Sequence, residues 1–188
     1  QDVSLSGNWT PIGSASVPFA GSFDGKGRTV SGLSIVGSLS DQGLFGVIAA
    51  TGSVKDVTVQ GSITGANCIG SIAGQNLGCI SGCTANVTIL ASGSVIGGIA
   101  GDNAGAAASI VGCKNIGSIT STSEDGRVGG IAGRCEGSVG IAYSKNDGAI
   151  TGVKYVGGIA GGSFHTAIAT PTVQNCVNTG VIKDTLSG

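Results

Sequence analysis

Six cysteines and a single histidine, His165, are the residues of this 188-residue chain best suited to hold a metal or act as nucleophile and base. A structural zinc site takes four Cys or His ligands at close spacing. Cys79 and Cys83 are near neighbours, but no histidine or second cysteine pair accompanies them, so no metal is expected. Asp24-Gly25, inside Phe23-Asp-Gly-Lys-Gly27, reads as a turn between strands, and calcium would need many more oxygen ligands than one carboxylate. Glycoside cleavage needs two carboxylates facing each other across a sugar. The ten acidic residues are scattered, and no repeat strand presents two of them at i and i+2. Glu124 and Asp125 fall in a polar turn with Arg127, while Arg134 and Glu136 flank Cys135 and can pair with each other. The Gly-Gly runs precede no helix and carry no Lys-Ser/Thr, which excludes a phosphate cradle. Neither catalysis nor a cofactor is expected of this chain.

Composition narrows the classes further. There are 37 glycines, against 9 Lys+Arg and 10 Asp+Glu with a net charge of −1. That balance, without a basic cluster, argues against a nucleic-acid partner. With 40% apolar residues the chain is too hydrophobic for charge-driven disorder. Glycine does not recur every third position, so it is not collagen. No apolar run is long enough to span a bilayer as a helix.

The glycines belong to a repeat. Ile69-Gly-Ser-Ile-Ala-Gly74, Ile96-Gly-Gly-Ile-Ala-Gly101, Val128-Gly-Gly-Ile-Ala-Gly133 and Val156-Gly-Gly-Ile-Ala-Gly161 are one hexapeptide, its closing glycines 27, 32 and 28 residues apart. A second block reads apolar-x-x-Cys-x-Asn-x-Gly, as in Ile110 to Gly117 and Val173 to Gly180. Ser144 replaces the cysteine in one copy and Ala85 the asparagine in another. A third block alternates around an invariant isoleucine: Ile63, Ile89, Ile119, Ile150 and Ile182.

Segments of three to six residues between glycine breaks are too short for helices and suit strands. Three short strands in a unit of about 26–32 residues make one coil of a parallel solenoid, with equivalent residues stacked about 4.8 Å apart. The expected fold is therefore all-β, a right-handed parallel β-helix of about six coils. One domain is expected over 1–188, with 1–46 a degenerate coil and cap and 47–188 the regular repeats. In this arrangement the isoleucines form one buried column and Val57, Cys83, Cys113, Ser144 and Cys176 another. Asn115, Asn146 and Asn178 form a third, satisfying turn backbone groups. Asn76, Asn103, Cys135 and Ser163 form a weaker fourth. The column cysteines are expected as buried thiols, since stacked Cβ atoms lie too far apart for an easy disulfide.

The N-terminal motifs Trp9-Thr-Pro-Ile-Gly13, Phe23-Asp-Gly-Lys-Gly27 and Gly43-Leu-Phe-Gly46, with the later Gly-Gly-Ile-Ala-Gly copies, resemble the GLUG-type repeat region of large bacterial surface proteins. That region is also found upstream of the protease domain in IgA1-specific metallopeptidases. The resemblance implies a β-helix on an exported, cell-surface bacterial protein, hence an extracellular location, and brings no catalytic residue with it. The zinc motif of those peptidases, His-Glu-x-x-His, is absent. The chain is expected to be part of something longer: an adhesin-like stalk or ligand-presenting scaffold, or alternatively the accessory β-helix of a secreted peptidase or glycan-degrading enzyme. A glycan or a surface protein, of host or microbe, is the expected partner. The candidate binding residues are Tyr143 and Tyr155, which should face outward, and Phe164 and His165 in the long insertion between Gly162 and Pro171.

Overall fold

Isoleucine alternating with small polar residues makes strands with one apolar face. In the computed structural model of the chain each such strand lies over its equivalent in the next unit. Ile35, Ile63, Ile89, Ile119, Ile150 and Ile182 are successive parallel partners. The structure describes residues 1–136, 140–163 and 172–185. Among them there is no helix, and the parallel sheets stack as a β-solenoid of about six turns.

Three sheets run along the solenoid. The first is built from Ile69–Gly70, Val95–Gly97, Arg127–Gly129 and Val156–Gly157. The second contains Phe45–Ile48, Ala73–Asn76, Ala100–Asn103, Ala132–Cys135 and Ala160–Ser163. The third begins with two long strands, Ser22–Val36 and Ser53–Gly65, and is then cut into shorter pieces. In one coil these are Ser109–Val111, Lys114–Asn115 and Ile119–Ser121; in the next, Gly140–Ala142, Lys145–Asn146 and Ile150–Gly152.

The hexapeptide is a corner. Its first half belongs to the first sheet and its second half to the second, with the bend at Gly98 and Ile99. Inside that bend lies the asparagine column. Each amide closes a local turn and grips the next coil: Asn115 Nδ2 donates to the Gly117 carbonyl (3.1 Å) and to Asn146 Oδ1 (2.8 Å), and Gly117 N–H donates to Asn115 Oδ1 (3.2 Å). Asn146 donates in turn to Asn178 Oδ1 at 2.7 Å. The fourth column is real as well. Asn76, Asn103, Cys135 and Ser163 are in register, and Asn76 Nδ2 reaches Asn103 Oδ1 at 2.7 Å. Buried amides are tolerable here because their hydrogen-bonding groups find partners.

The sulfur column packs as small hydrophobes. Cys83 and Cys113 are buried, Cys176 is partly buried, and no disulfide joins any of the six cysteines. Ser144 keeps the place of a thiol by donating to the Ala142 carbonyl and accepting from the Cys113 N–H. At the N-terminal side Trp9 donates its indole N–H to the Leu44 carbonyl (3.1 Å), and the Phe19 and Phe23 rings pack on Phe45.

One local expectation is corrected. Asp24-Gly25 is not a turn between strands but a bulge inside Ser22–Val36, with the register slipping between Asp24 and Arg28. The Lys26 N–H turns to Asp24 Oδ1 (2.8 Å) and Lys26 takes a φ of 50°, which accommodates the extra residues without ending the strand.

Candidate functional site

Both tyrosines of the chain project outward, Tyr143 at 64% exposure and Tyr155 at 53%. Each sits at a left-handed backbone position, φ 51° and 50°. For Tyr143 the repeat shows what that position normally holds. The residue following Lys55, Ser81, Val111, Ala142 and Gln174 is Asp56, Gly82, Gly112, Tyr143 and Asn175, and all five have φ between 51° and 63°. Glycine, Asp and Asn enter this region easily; a bulky aromatic does so at a conformational cost. Its exposure thus comes from the left-handed turn rather than from simple strand alternation. Tyr155 precedes Val156 as Arg127, Val95 and Cys68 precede Val128, Ile96 and Ile69. Of those, Cys68 shares the left-handed backbone, whereas Val95 and Arg127 do not.

The tyrosines occupy two corners of one coil, with Lys145–Asn146 and Ile150–Gly152 between them. Tyr155 has cationic company: the Lys154 ammonium stands 5.1 Å and the Arg127 guanidinium 5.7 Å from its ring centroid. Both distances are within cation–π range. Asp125 reaches Lys154 at 3.5 Å from a side chain that is 88% exposed. Phe164 and His165 lie outside the described residues.

Near Tyr143 a second charged group straddles three coils. Lys114 and Lys145 are direct parallel partners, and like charges at that spacing repel. Asp147 sits between them, 3.0 Å from Lys114 and 2.8 Å from Lys145, and also accepts from the Thr179 hydroxyl. The Lys145 ammonium, the Thr179 hydroxyl and the Lys114 ammonium hold its carboxyl well below the usual carboxylate range. A carboxylate so fixed is a poor proton carrier at neutral pH.

Asp102 is likewise held by a cation from a neighbouring coil. Asp102 is fully buried, and Arg134, its register partner in the next coil, binds both of its carboxylate oxygens through Nε and Nη2. Arg134 also reaches Glu136 at 3.4 Å, the pair anticipated across Cys135. The stronger partner, Asp102, had a legible signal: it precedes Asn103 as Arg134 precedes Cys135, in columns already aligned. Close to this pair, burial and the Asp102 charge raise the Asp41 carboxyl. Burial, then the charges of Asp41 and Asp102, push the Cys68 thiol up to about 11. A thiol so protonated is a weak nucleophile. Among the described residues no cluster of three or more His, Cys, Asp or Glu could hold a metal ion.

The outward position of both tyrosines is legible in the repeat, whereas the approach of the cations to Tyr155 emerges only in the structure. Arg127 was legible, because it holds the position of Tyr155 one coil earlier. Lys154 gave no pattern signal, since a single lysine beside a repeat block does not recur.

Neither a family model nor a solved structure matches the chain. A stretch of 99 residues, 51% of the chain, is 32% identical to part of halomucin from Haloquadratum walsbyi and covers 1% of that protein's length.

Proposed function

We propose that the chain is a non-catalytic segment of an exported, extracellular cell-surface protein, an adhesin-like scaffold that holds ligand-binding side chains off a stiff rod. The observation that carries this reading is the contrast between the acids and the aromatics. Asp102 and Asp147, which could have carried proton transfer, are neutralised by Arg134 and by Lys114 and Lys145. Tyr143 and Tyr155 instead stand in solvent on backbone that disfavours them. Strain at an exposed aromatic points to a role outside folding. The likeness to a stretch of halomucin is compatible with a cell-surface role, and the GLUG-type motifs favour a bacterial surface protein.

The mechanism is mechanical. Ladders of backbone hydrogen bonds advance about 4.8 Å per coil, and corner side chains are displayed at fixed separations along the rod. The partner is a glycan or another surface protein. The test is a binding screen of the purified chain against host and microbial glycans, mucin and matrix proteins. The expected result is a reproducible ligand whose binding weakens in Tyr143→Ala or Tyr155→Ala. A blank across the whole panel overturns ligand presentation, and release of reducing ends or peptides by the chain overturns the non-catalytic assignment.

A further inference from the structure

The bulge in Ser22–Val36 borders a cavity of about 400 Å³. Asp24 is the register partner of Lys55 and Arg28 that of Val57, so Gly25, Lys26 and Gly27 together stand opposite Asp56. Gly25 packs onto the next coil, where a Cβ would lie 2.6 Å from the Val57 Cβ; a Cβ on Gly27 would meet nothing within 4 Å. Lining the cavity are the apolar residues Phe23, Val30 and Val57 and the exposed cations Lys26 and Arg28. It is reached from the outer edge of the strand, because Val3–Ser4 pairs only with Val30 and Ser31. The acids beside it are already engaged. Asp24 accepts from the Lys26 N–H at 2.8 Å and pairs with Lys55 at 3.2 Å, and Asp2 Oδ1 accepts from the Thr29 N–H at 3.0 Å. Among the described residues no carboxylate pairs with the Arg28 guanidinium or the Lys26 ammonium.

From this geometry we infer that the bulge forms a binding site for a small carboxylate with an apolar body, of the size of an arylalkanoic acid. The body lies over Phe23, Val30 and Val57, and the carboxylate meets the planar fork of Arg28 with the Lys26 ammonium beside it. Apolar walls with a few placed polar groups, in a cavity of this volume, are the usual form of a small-ligand site. Bulges are over-represented next to such sites, because they re-aim side chains without ending the strand. A neutral ligand would leave both cations unmet, and a bare inorganic anion would leave the apolar lining in water. The left-handed backbone of Lys26, φ 50°, holds an exposed lysine where glycine would sit more easily. The site uses neither tyrosine and goes beyond the ligand-presenting reading above.

The test follows backbone amide shifts of the whole chain by NMR during titration with 3-phenylpropionate, its amide, 3-phenylpropylamine and acetate. The amide keeps the body and removes the charge, the amine reverses the charge, and acetate keeps the carboxylate without the body. The expected result is saturable binding of 3-phenylpropionate in the millimolar range, with shifts gathered on Phe23 to Val30 and on Val57. Binding should weaken by about tenfold or more for the amide, for acetate and in Arg28→Gln, vanish for the amine, and fall with added salt. Lys26→Gly is the folding control, because glycine accepts the left-handed backbone; it should be at least as stable as the parent and bind several-fold more weakly. Arg28→Gln should unfold in urea as the parent does, since the guanidinium is exposed. Equal affinity for acid and amide, acetate as tight as 3-phenylpropionate, parent-like binding by Arg28→Gln, shifts confined to other coils, or no saturable shift at all each overturn the site. None of these results bears on the tyrosines, so the ligand-presenting reading stands or falls by its own screen.

Discussion

Gly98 and Asn115 interlock. A Cβ on Gly98 would stand 2.5 Å from the Asn115 side-chain Cγ and 2.1 Å from the Gly130 carbonyl oxygen, so the buried amide and the next coil's backbone together occupy the space that a side chain on the corner would need. The same relation recurs between Gly130 and Asn146 and between Gly158 and Asn178. In the coil that departs from the pattern, both members change. Ser71 holds the place of Gly98, and Ala85 is the register partner of Asn115. Both are fully buried, and Ser71 Oγ is an unpartnered buried side-chain atom.

Substitution at this pair should therefore be non-additive. Gly98→Ser alone should cost about 2–3 kcal/mol by overpacking. Asn115→Ala alone should cost about 2 kcal/mol, because it strips partners from the Gly117 backbone and from Asn146. The double variant reproduces the Ser71/Ala85 coil, and urea unfolding should find it less destabilised than the sum by about 1 kcal/mol or more.

Tyr143 sits where the two preceding coils carry glycine. Tyr143→Gly should leave stability unchanged or raise it by up to about 1 kcal/mol, the released left-handed strain being partly offset by glycine's backbone entropy. Tyr143→Ala keeps the strain and should show no gain. Parallel urea curves on both variants decide the matter.

Asp102 is neutralised from one coil away. Arg134→Leu should leave a fully buried carboxylate without its guanidinium and destabilise the chain by about 3 kcal/mol. Adding Asp102→Asn should restore part of that loss, read as a rise in thermal midpoint over the single variant.

Two titrations should bracket the stability profile. Asp147 has a depressed carboxyl, so its contribution is present above the unfolded value of about 3.9 and is lost as pH falls through the folded value. Asp147→Asn should remove that acid-side slope. Cys68 behaves in the opposite sense: with its thiol raised to about 11, the unfolded chain ionises first, so stability is lost as pH rises from about 8.5 towards the folded value. Cys68→Ser should flatten the alkaline limb, and iodoacetamide should label native Cys68 slowly at pH 8 and faster as pH approaches 11.

Columns were legible in the sequence because a repeat aligns them without any knowledge of the path between. Isoleucine, sulfur and asparagine stacks all follow from spacing alone. What the spacing could not show was where the chain bends. Ile96 to Gly101 looks like one strand, and the bend at Gly98 shows only in the structure, where the Gly130 carbonyl and the Asn115 amide crowd the corner. Strand alternation would also put Tyr143 outward, yet the left-handed turn is what exposes it, and no count of residues distinguishes the two. Arg134 and Glu136 are close in sequence, whereas the deeper partner Asp102 is a coil away and shows only through the alignment of the Asn103 and Cys135 columns.

The Gly98–Asn115 interlock also sets the grammar by which such a rod can change length. A whole unit can be excised or duplicated, shortening or lengthening the molecule in quanta of about 4.8 Å, provided each glycine corner keeps the asparagine that fills it. Exchange among the glycine–asparagine coils can cut anywhere, whereas exchange with the Ser71/Ala85 coil must cut outside the pair. A crossover falling between Ser71 and Ala85 would join a serine corner to an asparagine and jam the coil, so these two residues have to be inherited as one cassette.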